Sequence, residues 1–328
     1  MEAFDAGADR EVLDAAVGWL HEGRRVILVT VARTWGSSPR PAGSLMAIRE
    51  DGRYAGSVSG GCVESDLVKR VARGELGELP TLVDYGVDGF QAARLGLPCG
   101  GRLELLVEDL PGAGQLETLF ERIDEGELVA RRVCLNTGEV SLHSASVSQD
   151  FSISPDAVQK TFGPVWQMLI IGAGQLAGYV SRIALMLGYR VVVCDPREET
   201  AGWEMPRVER VSLMPDDAVR DIARNPRSVI LTLAHDPKLD DMALMEAFET
   251  HAFYIGALGS RRTSDGRRRR LLRLGVQERQ LERLHAPVGL PIGGRTPPEI
   301  AVSICAGITA ERHRIALRRT GPLSADPA

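Results

Sequence analysis

The chain has 328 residues, of which 44% are hydrophobic and 25% charged, which fits two globular domains and excludes a chain disordered throughout. Thirty-nine basic residues against 44 acidic ones give a net charge of -5, yet fourteen arginines face only five carboxylates between 261 and 319. That stretch therefore carries +9 and the remainder -14. A basic stretch of this kind suits nucleic acid, a phosphorylated small ligand or an acidic protein, or else forms a solvated helical face. No run of about 18 apolar residues occurs, and Glu2, Asp5 and Asp9 open the chain where a secretory signal needs basic and apolar residues, so a cytoplasmic protein is expected. Five dispersed cysteines, at 62, 99, 134, 194 and 305, point to reduced thiols.

In chain order, apolar residues at spacings of three and four predict an amphipathic helix over 10–23. A buried strand follows over 26–31, with loop from 34 to 43. Two short strands over 44–50 and 53–57 turn at Asp51-Gly52. A helix over 62–74, a strand over 81–84, an alternating strand over 102–108, a helix over 113–125 and strands over 128–134 and 139–145 complete an α+β domain. Polar, turn-rich sequence then predicts a boundary, so the division expected is a domain over 1–150, a linker over 151–165 and a second domain over 166–328. Beyond it, strands over 168–171, 189–194, 228–232 and 253–256 alternate with helices over 175–187, 215–224, 240–249 and 260–273, and a last helix starts after Pro297-Pro298. That alternation calls for a doubly wound parallel sheet, making the fold class α/β.

The clearest motif is Gly172-Ala173-Gly174-Gln175-Leu176-Ala177, between a strand and a helix. Gly172 permits the turn, Gly174 lets backbone approach a phosphate, and the helix start offers free N–H groups. Asp195, at the end of the next strand, suits a ribose diol. His235 and Asp236 follow another strand end, where an imidazole would move a proton or position a ligand and Asp236 would alternatively cap a helix. Gly259 precedes Arg261 and Arg262, a pairing of small turn and guanidinium groups that suits phosphate or carboxylate. Arg295 emerges from a glycine-rich turn before a capping box formed by Thr296 and Glu299.

In the first domain, Trp35 and Arg40 stand in a loop too rich in bulky and rigid residues for a simple connector. Gly60 and Gly61 lead into Cys62 at a helix start, where the dipole favours thiolate. Cys99, before Gly100-Gly101, has a comparable setting, whereas Cys134, Cys194 and Cys305 read as small apolar fillers. No zinc-ligand spacing appears, so no metal site is expected.

The joint order of Gly36-Ser37-Ser38-Pro39-Arg40, Gly60-Gly61-Cys62-Val63-Glu64, Cys99-Gly100-Gly101, the Gly172 turn, His235-Asp236 and the 256–261 loop resembles the XdhC/CoxI family of xanthine dehydrogenase accessory factors, from residue 10 to residue 312. The resemblance implies a Rossmann-like second domain and a cytoplasmic homodimer. It implies a chaperone that binds molybdenum cofactor (molybdopterin), assists its sulfuration and inserts it into xanthine dehydrogenase or a related molybdenum hydroxylase. An L-cysteine desulfurase would supply the sulfur, and neither nucleic acid nor membrane is a partner. Cys62, Cys99 and His235 are then the candidate reactive groups. Trp35, Arg40, Gly60, Gly61, Gly172, Gly174, Gln175, Asp195, Asp236, Gly259, Arg261 and Arg295 are the candidate cofactor contacts. Cys305 and Gly307 depart from the leucine and glutamate usual in the family's last helix. Two other readings stay open: an NAD(P)-dependent oxidoreductase built on the Gly172 turn, and a nonenzymatic scaffold docking acidic partners through the arginine-rich end.

Overall fold

The computed structural model describes residues 7–35, 40–86, 102–147 and 150–313, and the chain divides into two compact units, Met1–Val165 and Trp166–Ala328. In the first unit, helix α1 (Gly7–His21) is followed by β1 (Val26–Trp35), β2 (Leu45–Arg49), β3 (Tyr54–Gly56), helix α2 (Cys62–Arg73), β4 (Thr81–Tyr85) and β5 (Arg102–Leu110). Helix α3 (Gly114–Asp124) then leads to β6 (Val129–Cys134), β7 (Val140–Ser144), β8 (Phe151–Ile153) and β9 (Ala157–Phe162). The strands form two antiparallel sheets, ordered β3-β2-β1-β5-β4 and β7-β6-β9-β8.

Apolar side chains cover both faces of the larger sheet. Leu67 and Val71 of α2 pack with Ile27, Val29 and Leu105 on one face, while Val12 and Leu13 of α1 and Leu116 and Leu119 of α3 pack with Leu28 and Ala47 on the other. Each such buried valine, leucine or isoleucine contributes on the order of 1.5–3 kcal/mol. Two-sided burial explains a departure from expectation in β5. Its alternating sequence reads as half-exposed, yet 103–108 is buried throughout, because Glu104 pairs with Arg33 (2.9 Å) and Glu108 takes a bidentate contact from Arg131 of β6 (2.8 and 2.7 Å). Gly56 ends β3 at φ +82, where a Cβ would stand 2.4 Å from the Leu45 carbonyl oxygen, so only glycine fits.

The stretch read as a linker differs in structure. Residues 151–162 build β8 and β9, and β9 pairs with β6 from Val129↔Phe162 to Cys134↔Ala157. Its polar composition reflects side chains on the less buried positions, while Ala157, Val158, Thr161 and Phe162 turn inward. The compact unit accordingly runs to Val165.

The second unit alternates β10 (Gln167–Ile171), α4 (Gln175–Met186), β11 (Arg190–Cys194), β12 (Val208–Val211), α5 (Pro215–Ile222), β13 (Ser228–Thr232), α6 (Pro237–Glu249), β14 (Tyr254–Ala257) and α7 (Arg261–Arg273). A short α8 (Glu278–Leu281), β15 (Leu284–His285) and α9 (Pro297–Arg312) complete it. All six strands are parallel, in the order β12-β11-β10-β13-β14-β15, the arrangement of a Rossmann sheet. The short, half-exposed β12 and the two-residue β15 carry too little pattern to be read from sequence.

Part of the arginine-rich stretch is spent inside this unit, although Arg261, Arg262, Arg269, Arg273, Arg279 and Arg295 are exposed. Arg283 donates to the carbonyls of Phe248, Thr250 and Ala252, just where α6 ends, and Arg268 donates to those of Leu281 and Leu284. These guanidinium groups satisfy carbonyls that helix and strand ends leave without partners. Among the described residues, no helix is long and apolar enough to cross a membrane.

Candidate functional site

Each unit gathers its candidate residues on loops leaving a sheet. In the first, the turn 57–61 between β3 and α2 is organised around one side chain, Glu64. Its carboxylate accepts from the Ser57 hydroxyl (2.7 Å), the Ser59 hydroxyl (2.5 Å) and the backbone N–H groups of Val58 (3.0 Å), Ser59 (2.7 Å), Gly60 (2.8 Å) and Gly61 (2.9 Å). Burial opposes ionisation, but these donors overcome it and pull the Glu64 carboxyl down to about 2. The turn is therefore an anion nest already filled by the chain's own carboxylate.

Cys62 is the first residue of α2, next in the chain to this turn. Glu64 fixes the backbone of Gly60 and Gly61 ahead of it. Sequence reasoning did not identify Glu64, although a glutamate at the third position of a helix that follows two glycines is a recognisable capping signal.

Trp35 ends β1, 41% exposed, with the Arg102 guanidinium 4.6 Å from its ring centroid. Arg102 is held in turn by Asp84 (3.0 and 2.9 Å). Arg40 is exposed. Cys99 and residues 36–39 lie outside the described residues. Among the remaining thiols, Cys194 and Cys305 are buried and pushed up to about 12, consistent with inert fillers. Cys134 is half-buried, and the Thr137 hydroxyl and nearby backbone N–H groups lower its thiol below the ordinary value.

In the second unit, loops at the carboxyl ends of β10, β11, β13 and β14 meet. Gly172, at φ +106, lies against the next loop so closely that a Cβ would come 2.5 Å from the Ala234 Cα, so its first task is loop packing. Gly174 has open space before it and, like Gln175 at the start of α4, is exposed, and no side chain caps that helix. His235 is exposed and held at φ +58, an uncommon conformation for a side-chain-bearing residue. Asp236 caps α6 by accepting from the Lys238 N–H (2.9 Å).

The loops are braced from beneath. Asp240 of α6 accepts from the Ala234 N–H (3.3 Å) and from Arg267 (2.8 Å), which also donates to the Leu258 carbonyl (2.9 Å). One buried ion pair thus ties the loop after β13 to the loop after β14. Burial outweighs Arg267 and holds the Asp240 carboxyl up at about 6. Ser260 caps α7 by accepting from the Thr263 N–H (3.1 Å), leaving Arg261 and Arg262 exposed at the helix start. Gly259 faces Thr263 at a would-be Cβ contact of 3.3 Å. Arg295 is exposed, and its backbone N–H donates to Glu299 (2.9 Å). No hydrogen bond or ion pair joins it to the four loops among the described residues.

The residues do not fit an adenosine ribose. Asp195, expected to receive a diol, is fully buried. One oxygen accepts from the Arg197 N–H and Nε (3.1 and 2.9 Å), the other from the Ala173 N–H and the Arg197 guanidinium (2.8 and 2.7 Å). A diol would have to displace a charge-assisted bidentate contact. Arg197→Ala is therefore expected to raise affinity for reduced dinucleotide about tenfold, the worth of one such contact. A fluorescence titration that leaves the two proteins equally weak would show that Asp195 is not what limits binding.

The two loop systems fall inside separate family profiles. The profile of the XdhC and CoxI family matches residues 19–86, with the Glu64 nest, and the XdhC Rossmann domain matches 168–308, with all four carboxyl-edge loops. The chain belongs to the XdhC/CoxI family. It is 28% identical to the molybdenum cofactor insertion chaperone PaoD of Escherichia coli, over 95% of this chain and 91% of that one. It is 25% identical to a probable xanthine dehydrogenase subunit of Bacillus subtilis, over 91% and 96% of the two chains. A Bacillus halodurans crystal structure described as a xanthine dehydrogenase superposes with a TM-score of 0.66 at 25% identity, covering 96% and 99%. Glu64, Asp240 and Arg267 all lie within the matched residues.

Proposed function

We propose that this XdhC/CoxI protein is an accessory factor in the maturation of a xanthine-dehydrogenase-type molybdenum hydroxylase, with molybdenum cofactor as its cargo. The observation that carries the reading is family membership along both units, with near full-length similarity to a cofactor insertion chaperone. The loop chemistry supports it. The carboxyl-edge loops, with the uncapped α4 start at Gly174 and Gln175, exposed His235, and Arg261 after Gly259, suit the phosphate end of a pterin ligand. Cys62, next in the chain to the Glu64 nest, is the thiol assigned to the cofactor's sulfur chemistry, with Cys99 as its companion. Trp35, Arg40 and Arg295 are the further contacts proposed. A cysteine desulfurase as sulfur donor and a homodimer as the working form belong to the same proposal.

Two measurements test it. Natively purified protein is expected to release a fluorescent pterin on denaturation, and to speed activation of cofactor-free hydroxylase by added cofactor. Cys62→Ser is expected to cut that activation at least about tenfold, equivalent to about 1.4 kcal/mol of lost stabilisation, while Cys134→Ser leaves it unchanged. Absence of both pterin and stimulation would overturn the reading. Equal activity of Cys62→Ser and the parent would remove the thiol role alone.

A further inference from the structure

A cavity of the Rossmann unit is lined by residues that the four loops do not supply: the start of β14, Arg268 of α7, β15 with the segment that follows it, and α9. Tyr254 opens β14, whose far end feeds the loop at 258–260, and the cavity runs from Tyr254 past β15 to the last turns of α9. Its volume of about 290 Å³ matches the lower end of small-molecule sites, roughly 300 Å³. One wall is a stacked pair, Tyr254 and His285, with ring centroids 4.1 Å apart and planes 13° from parallel. Gly307 of α9, close against Gly289, completes the lining.

The lining carries one charge of each sign. Arg268 is oriented by its two carbonyl contacts at 2.8 Å each, and neither it nor Glu311 has an opposite charge within ion-pair distance among the described residues. Burial, aided by Arg268 and opposed by Glu311, lowers the His285 imidazole below its ordinary value, so near neutral pH it offers one donor and one acceptor. The Tyr254 hydroxyl is raised by burial and by Glu311, stays protonated and meets the Gly289 backbone N–H. A polar cavity with an oriented cation, a separate carboxylate and a neutral hydrogen-bonding ring is matched by an occupant that bears both charges. A purely anionic or cationic ligand would leave one lining charge opposed.

We propose that this cavity binds a small zwitterion of the α-amino-acid class, its carboxylate received by Arg268 and its ammonium by Glu311, with the His285–Tyr254 pair flanking the side chain. The four loops proposed for molybdenum cofactor supply none of its lining, which shares with that proposal only the segment leading to Arg295, so either reading can fail without the other.

The test is isothermal titration and thermal denaturation of the full chain with each common α-amino acid at about 10 mM, alongside acetate and methylamine as single-charge controls. At least one amino acid is expected to bind and raise the melting temperature, with both controls at least about tenfold weaker, because each satisfies one charge and opposes the other. Glu311→Gln, at the exposed end of α9, is expected to weaken that amino acid about tenfold while the protein without ligand melts as the parent does. His285→Gln retains donor and acceptor and should bind within about threefold of the parent. No binding by any amino acid, binding of acetate or methylamine as tight as the zwitterion, or unchanged affinity in Glu311→Gln would each overturn the assignment.

Discussion

Glu64→Gln is expected to remove about 3 kcal/mol of stability from the first unit at neutral pH and to remove the matching part of its acid sensitivity. The amide keeps an acceptor for the four donors on Oε1, but it turns an NH₂ group toward the Gly61 N–H that Oε2 now receives. A buried donor facing a donor costs more than a lost bond. The same figure follows from protonation. The folded carboxyl titrates at about 2 against an ordinary 4.5, so the unfolded chain takes up the proton first as pH falls. The stabilisation is fully present above about pH 5 and is lost between there and about pH 2, a span worth about 3 kcal/mol. Urea denaturation across that range should show the parent weakening more steeply than Glu64→Gln, which keeps the slope due to Asp51 paired with Arg49. Parallel curves would mean that the nest contributes nothing specific to the ionised form. A merely destabilised variant would lie lower at every pH without losing the slope.

Arg267→Leu is expected to be the most damaging single change in the second unit, at about 3–5 kcal/mol, because it leaves Asp240 buried beside only the Ala234 N–H. It also releases the Leu258 carbonyl, so the loops after β13 and β14 lose their common brace. Asp240→Asn should cost less, since Arg267 keeps Leu258 and lies 3.6 Å from Asp241. The pH signature is opposite to that of Glu64. Asp240 is held up at about 6 against an ordinary 3.8, so the folded form binds the proton first, and this group's contribution improves as pH falls from about 7 to about 4. Asn at 240 should remove that trend from denaturation curves of the second unit. If Arg267→Leu melts within about 1 kcal/mol of the parent, the pair is not the brace described. Retention of pterin should fall with Arg267→Leu more than with Asp240→Asn, in proportion to the loop that each change frees.

The Rossmann half was legible because its signals are local. An apolar strand followed by the 172–177 turn and an amphipathic helix is determined by neighbours within a few residues, and the parallel order follows from repeating that unit. Cys62 at the head of a helix was legible for the same reason. The polar β8 and β9 were not, since their partner is β6 and a strand's pairing is decided across the fold. Glu64, Asp195, Asp240 and Arg267 are all visible as residues, but whether a carboxylate faces a ligand or its own chain depends on which donors the fold brings to it. For Asp195 the nearest donor proved to be Arg197, and the expected ribose contact does not follow.

By itself the sequence determined two units, the alternation of the second, the family, and a +9 stretch near the carboxyl end. Only the tertiary structure decided where that charge goes. Arg267, Arg268, Arg270 and Arg283 turn inward to carbonyls and carboxylates, whereas Arg261, Arg262, Arg269, Arg273, Arg279 and Arg295 remain exposed. The physical reason is that an arginine's charge is written in the sequence, whereas its partner is selected by burial. A guanidinium taken out of water must find oxygen acceptors, and only the folded chain places helix ends and carboxylates within its reach.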